Sequence, residues 1–383
     1  MQNIIYEFYL FIKTNLINLF IDNKLKKRII FNSVSNEYSY NSKYLFEYIL
    51  KNNTNSIEIK FIIRDNKEKR KLKDEIGDYF ISNTSIKDII YILKSKLWVT
   101  SSLDLPCILL FKNKNRIVYH IGHGIPMKNI GLSERKLNIF QYFNRKLRIM
   151  PITHVLCYSL KMKNEIYKIF QKKDLEYLYF GEPRNDILIN QKEDIFFDKN
   201  KKYILYAPTW RKYEKVKFFP FSDIDINDFD NFLEKNNIVI CLREHPYYKG
   251  FIDKNLLKIK NIKIFNNDKF KNIDEFLKKF EILITDYSSI YFDFLCFSNK
   301  VIFIPYDLTR YEREVGFLLN FYKFTSGKKV YKYKELKSSI MELLSINYKD
   351  EKSEKIKGIL NLKLSNNCLE NFEFIQKLLE EVE

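Results

Sequence analysis

Short apolar runs alternate with segments of helical period along most of the chain. Runs at 28–31, 57–63, 97–100, 117–121, 153–158 and 177–180 read as buried strands, being short, rich in branched and aromatic side chains, and bounded by polar turns. Between them, 43–51, 86–96 and 161–170 carry apolar residues at helical spacing. A polar, charged stretch over 186–201 interrupts the pattern, which restarts with strands at 203–206, 238–242, 262–265, 282–285 and 301–304 and helices over 274–280 and 290–297. Strands alternating with helices at these lengths predict an α/β chain of two domains, each built on a parallel sheet covered on both faces.

The ends need separate readings. Ile4, Phe8, Phe11, Ile12, Leu16, Leu19 and Phe20 share one helical face, and Lys24, Lys26, Lys27 and Arg28 follow at once. That describes an amphipathic helix over 1–28 that either lies on a membrane surface or packs on the first domain. Glu7 and Lys13 break the apolar run, so it does not span a bilayer, and no small-residue cleavage site follows it. The expected domains are 29–185, a linker over 186–201, and 202–383, whose Lys-rich terminal helices, 335–344 and 368–380, are free in this reading to pack back on the first domain.

Composition adds two facts. The net charge of +18 calls for an anionic partner, although the abundance of Lys, Asn and Ile beside a single alanine, Ala207, points to compositional bias as a second source. Cys107, Cys157, Cys241, Cys296 and Cys368 are scattered singly, which argues against a disulfide framework or a zinc site and suits a reducing cytoplasm. In a chain that avoids Gly, Ala, Pro, Trp and His, the places that concentrate them become site candidates: 120–131, 181–184, 207–211 and 243–246. Each follows a predicted strand, as does 281–293, and open α/β sheets bind ligands at the carboxyl ends of strands.

The last of these reads as strand, turn and helix start. Ile282-Leu283-Ile284-Thr285 is followed by Asp286-Tyr287-Ser288-Ser289 and a helical pattern from Ile290. A helix start of this kind binds phosphate through its unpaired N–H groups, or is an ordinary capped helix with Asp293 complementing its dipole.

Five motifs together give a specific resemblance. His123-Gly124-Ile125-Pro126-Met127-Lys128, Gly181-Glu182-Pro183-Arg184-Asn185-Asp186, Tyr206-Ala207-Pro208-Thr209-Trp210-Arg211, Arg243-Glu244-His245-Pro246 and Thr285-Asp286-Tyr287-Ser288-Ser289 with Asp293 occur in the order found in the CDP-glycerol glycerophosphotransferase family. The chain resembles these teichoic-acid and capsule polymerases and primases from about Phe31 to Phe321. The resemblance implies two Rossmann-like domains facing a cleft (GT-B-like), with the nucleotide held mainly by the second. It also implies transfer of a polyol phosphate from a CDP-activated donor to a lipid-linked or polymeric glycan acceptor, with CMP released, at the inner face of the cytoplasmic membrane.

On that resemblance His123 is the general base, its unperturbed pKa lying near working pH, and His245 donates to phosphate or stabilises the departing CMP. Gly124, Ile125, Pro126, Met127, Arg184, Thr209, Trp210, Arg243, Glu244, Ser288, Ser289 and Asp293 carry over as donor- or phosphate-binding positions, and Lys128 as an acceptor-side candidate. Each has a plainer reading: a turn histidine, surface salt bridges for the arginines, core packing for Trp210. No metal or other cofactor is expected, because the Asp-x-Asp at Asp223-Ile224-Asp225 reads as a helix start. No specific nucleic-acid partner is expected either. Two departures sit beside the base, Gly122 where the family usually has Trp and Ile125 where it usually has Thr, and they leave the acceptor and the transferred alcohol open. The alternatives are a GT-B glycosyltransferase using a nucleotide sugar and a non-catalytic polyanion-binding protein.

Overall fold

The computed structural model describes residues 2–22, 24–53, 57–189, 193–211, 213–244, 252–253, 255–266, 268–346 and 348–380, with side chains from residue 7 onward. The chain forms two units: 1–123, 131–186 and 365–383 make the first, and 124–130 with 187–364 make the second.

Among the described residues the first unit holds a seven-stranded sheet of β1 (Lys26–Asn32), β2 (Glu58–Ile62), β3 (Phe80–Ile81), β4 (Ser95–Thr100), β5 (Ile117–His120), β6 (His154–Leu156) and β7 (Glu176–Leu178). Its order is β3-β2-β1-β4-β5-β6-β7, with every pairing parallel. Helices α1 (Gln2–Phe20), α2 (Tyr40–Asn52), α3 (Asn66–Ile76), α4 (Ile86–Leu93), α5 (Ile139–Ile149) and α6 (Lys163–Phe170) accompany it. Every residue of β4 is buried, which is why 97–100 reads as an unbroken apolar run rather than an alternating one.

The second unit repeats the plan with β8 (Lys202–Tyr206), β9 (Ile238–Leu242), β10 (Ile262–Ile264), β11 (Ile282–Thr285), β12 (Val301–Phe303) and β13 (Lys328–Lys329) in the order β10-β9-β8-β11-β12-β13. It carries α7 (Ile226–Lys235), α8 (Ile290–Leu295), α9 (Leu308–Glu314), α10 (Phe321–Phe324), α11 (Tyr333–Leu344) and α12 (Glu351–Leu360). Ile204, Ile240, Ile284 and Ile302 of its strands meet Leu233 of α7 and Leu336 and Ile340 of α11 in one core. The last helix, α13 (Asn367–Glu380), belongs to the first unit, where Phe372 packs against Tyr48 of α2.

In both sheets the strand order reverses once, between β1 and β4 and between β8 and β11. These switch points are where neighbouring loops diverge and leave room for a ligand.

Several expectations need correcting. The strand β1 begins inside the segment assigned to the N-terminal helix, at Lys26. The helix expected over 86–96 ends at Leu93, because Ser95 already belongs to β4. The helix expected over 274–280 is two single 3₁₀ turns, Ile273–Glu275 and Leu277–Lys279. Residues 124–130, assigned to the first domain, belong to the second: Met127 O accepts from Leu318 N at 2.9 Å and Asn129 N donates to Gly316 O at 3.1 Å.

Candidate active site

In the first unit the loop after β5 carries His123. Gly122 takes the left-handed backbone, φ +65°, that lets the chain turn there. His123 is exposed, and its Nδ1 lies 2.8 Å from the carbonyl oxygen of Ser101, the residue after β4. A carbonyl can only accept, so in neutral His123 the proton sits on Nδ1 and the lone pair on Nε2. That is the tautomer a general base needs. His120, three residues earlier, is no rival, because desolvation and the nearby His123 hold its pKa down at about 3.

The Gly181–Asp186 motif follows β7 and turns inward. Glu182 is buried and accepts from Asn41 Nδ2 (3.3 Å), Tyr158 OH (3.3 Å) and Arg184 Nε (3.3 Å). Arg184, expected to bind phosphate, is itself buried and ion-paired with Glu182. Asp186 caps α13, accepting from Asn367 N at 3.1 Å and Cys368 N at 2.8 Å. Glu182 and Asp186 therefore brace the scaffold.

In the second unit 124–130 lies along residues 316–319, with Lys128 bridged antiparallel to Phe317. Ile125, Pro126 and Met127 are buried. Expected as donor-binding positions, these three side chains pack as apolar anchors, while Gly124 is half-buried.

The motifs after β8 and β11 meet at the second switch point. Thr209 N donates to Asp286 Oδ1 at 2.7 Å, and Thr285 Oγ1 donates to Ala207 O at 2.8 Å. Thr209 Oγ1 is buried and finds no hydrogen-bond partner among the described residues. Beneath them sits Arg211, fully buried, with Nη2 2.8 Å from Asp286 Oδ2 and Nε 2.6 Å from Asp307 Oδ2. Tyr213 and Tyr287 donate to the same Asp307 carboxylate at 2.7 and 3.0 Å. Burial works against the Arg211 charge, but Asp286 and Asp307 outweigh it and hold the guanidinium above its ordinary pKa. Arg211 and Asp286 lie inside the motifs after β8 and β11, whereas Asp307, after β12, lies outside them; residue type and place after a strand end are the signal the sequence offers for all three.

Ser288 and Ser289 are half-buried before α8, with Ile290 N donating to Ser288 Oγ at 3.4 Å, and Asp293 is buried one turn further on. Ser289 makes no side-chain cap to this six-residue helix. Trp210 and Glu244 are half-buried. Arg243, also half-buried, donates to the carbonyls of Phe270 and Lys271 at 3.0 and 3.3 Å, so β9's loop is held by that guanidinium. His245 and Pro246 lie outside the described residues. Asp225 caps α7 and Asp223 accepts from Tyr333 N, which accounts for the Asp-x-Asp. The five cysteines are buried and none forms a disulfide among the described residues.

Two doubly wound sheets, one bearing a histidine loop and the other hydroxyl-bearing turns at its switch point, are the GT-B-like frame of a group-transfer enzyme. The chain belongs to the CDP-glycerol:poly(glycerophosphate) glycerophosphotransferase family, whose profile matches residues 13–362. It is similar to the teichoic acid poly(glycerol phosphate) polymerase of Bacillus spizizenii, 29% identical over 321 residues, 79% of this chain and 80% of that one. A protein of the same name from Bacillus subtilis is 27% identical over 352 residues; this chain aligns over 85% of its own length but only 45% of that relative's. A solved structure of the wall teichoic acid polymerase TagF shares the fold, with a TM-score of 0.73, 20% identity and 100% of both chains covered.

Proposed function

We propose that the protein transfers glycerol phosphate from CDP-glycerol to a hydroxyl of a lipid-linked or polymeric surface-glycan acceptor in teichoic-acid or capsule assembly. The acceptor oxygen attacks the phosphorus that bears the glycerol, a new P–O bond forms, the bond to the CMP phosphate breaks, and CMP leaves. His123 Nε2 takes the acceptor proton. The carrying observation is the exposed His123 with Nδ1 fixed on a carbonyl. The Thr209 and Ser288 hydroxyls and cationic side chains supply the charge stabilisation that phosphoryl transfer needs, so the reaction runs without a metal.

The N-terminal helix supports a membrane-surface location. α1 turns its polar residues toward the first unit: Thr14 is buried, Lys13 Nζ donates to Thr84 O, and the Asn15 side chain bonds Ile108 O and Leu110 N. Its apolar residues Phe8, Ile12, Leu16, Leu19 and Phe20 are left exposed, Phe20 by 87%. The outward side is apolar, while the inward side carries Thr14, Lys13 and Asn15 beside half-buried Leu10, Phe11 and Ile17, an arrangement that suits a bilayer surface. No described helix is long and apolar enough to cross a membrane.

The test is nucleotide release by the purified protein with CDP-glycerol, CDP-ribitol or a nucleotide sugar, each with lipid-linked acceptor. CMP from CDP-glycerol is expected, and His123→Ala should lose about a hundredfold or more of the rate. Release from CDP-ribitol alone replaces the alcohol, and release from a nucleotide sugar alone overturns the phosphotransferase reading.

A further inference from the structure

Three consecutive residues that belong to none of the five motifs converge on His123. Tyr40 opens α2 with φ +58°, a left-handed backbone that a bulky aromatic residue rarely adopts, and its ring lies 5.5 Å from the His123 ring at a 60° tilt. Asn41 is fully buried, and its Nδ2 donates to the carbonyls of Ile121 (2.9 Å) and Gly122 (3.1 Å), the two residues that lead into His123. Its Oδ1 accepts from Arg184 N at 3.1 Å, which ties the amide into the Glu182 network. Ser42, also fully buried, meets Ser101: the two hydroxyls are 2.7 Å apart, and Ser42 N donates to Ser101 Oγ at 2.9 Å. Ser101 is the residue whose carbonyl fixes His123 Nδ1.

We infer that Tyr40, Asn41 and Ser42 form a positioning element for the catalytic histidine, with Tyr40 setting the ring, Asn41 the loop and Ser42 the carbonyl that selects the tautomer. The inference rests on His123 being the base. The three act on different parts of the same side chain: one packs its face, one holds the backbone before it, and one anchors its hydrogen-bond partner. Chain geometry explains the convergence. The first turn of α2 follows β1, Ser101 follows β4 and His123 follows β5, so all three sit at the carboxyl edge of adjacent strands around the first switch point. The left-handed backbone at Tyr40 fits this role, since conformational strain persists where surrounding structure over-determines it, commonly at active sites.

Tyr40→Asn separates positioning from folding, because asparagine accepts the left-handed conformation that tyrosine resists. The expected result is a melting temperature equal to or above that of the parent, an unchanged KM for CDP-glycerol, and a kcat lowered by about tenfold to a hundredfold, the scale of a misplaced catalytic group. Tyr40→Phe keeps the ring and should restore kcat to within about twofold. Asn41→Leu serves as a second variant, with loss of kcat expected in whatever fraction folds. His123→Ala is measured alongside. An inactive His123→Ala protein beside fully active Tyr40→Asn and Asn41→Leu proteins overturns the positioning role alone, and an active His123→Ala protein overturns the base and with it the inference.

Discussion

Arg211 shows how much of the second unit depends on one side chain. It ties the loop after β8 to Asp286 after β11 and Asp307 after β12, and the Tyr306 ring lies 4.7 Å from its guanidinium. Arg211→Met would strand two buried carboxylates, and we expect it to cost about 3–5 kcal/mol in chemical unfolding. The pH dependence gives a sharper check. Burial raises the Asp307 pKa, but the Arg211 hydrogen bond and charge, with the tyrosine hydroxyls, more than reverse this and leave it below 3.8. A carboxylate depressed in the folded state contributes stability that is complete above about pH 4 and is lost as pH falls through the folded value. In Arg211→Met only the Tyr213 and Tyr287 hydroxyls still oppose burial, so the depression of Asp307 shrinks and acidification below about pH 4 should cost the variant less stability than the parent. Urea midpoints across that range test this, and parallel curves for the two proteins would remove Asp307 from the account.

At the scale of elements, α1 departs most from its sequence pattern. The apolar stripe was visible in the sequence, but periodicity alone does not say which way a stripe faces, and here the unit binds the polar side through Lys13, Thr14 and Asn15. α5 adds to the exposed apolar surface of this unit, with Phe140 82% exposed and Arg148 ion-paired to Glu7 of α1. Replacing Leu16 and Phe20 with Glu should leave folding unchanged, since both are exposed. It should weaken binding to anionic vesicles by roughly tenfold or more per residue. Cosedimentation reads this directly, and undiminished binding would move the membrane face elsewhere. Elements missed from the sequence have physical causes too: 66–76 is so charged that its helical period carries almost no apolar signal, and β3 and β13 are two residues long.

For the whole molecule, the two units divide the motifs: His123 and the Gly181–Asp186 segment lie in the first, the β8, β9 and β11 loops in the second, and 124–130 leaves one unit to join the other. A reaction supported by side-chain cations and hydroxyls should survive chelation. Turnover with CDP-glycerol is expected to be unchanged in EDTA, and loss restored by Mg²⁺ would show that a metal takes part.

The sequence by itself determined the α/β alternation, the two parallel sheets and the positions of the motifs at strand ends, because strand burial and helical period are local and survive in one dimension. It also carried the family, since five motifs in order form a pattern that needs no coordinates. Tertiary structure decided which motif residues are exposed and which are buried in the scaffold. Arg184 and Met127 look like ligands in the chain and are buried, whereas Tyr40, Asn41 and Ser42 look like an ordinary polar turn and surround the histidine. The difference arises because burial and hydrogen-bond partnership depend on residues brought together from β1, β4 and β5, a long-range pairing to which no local spacing points.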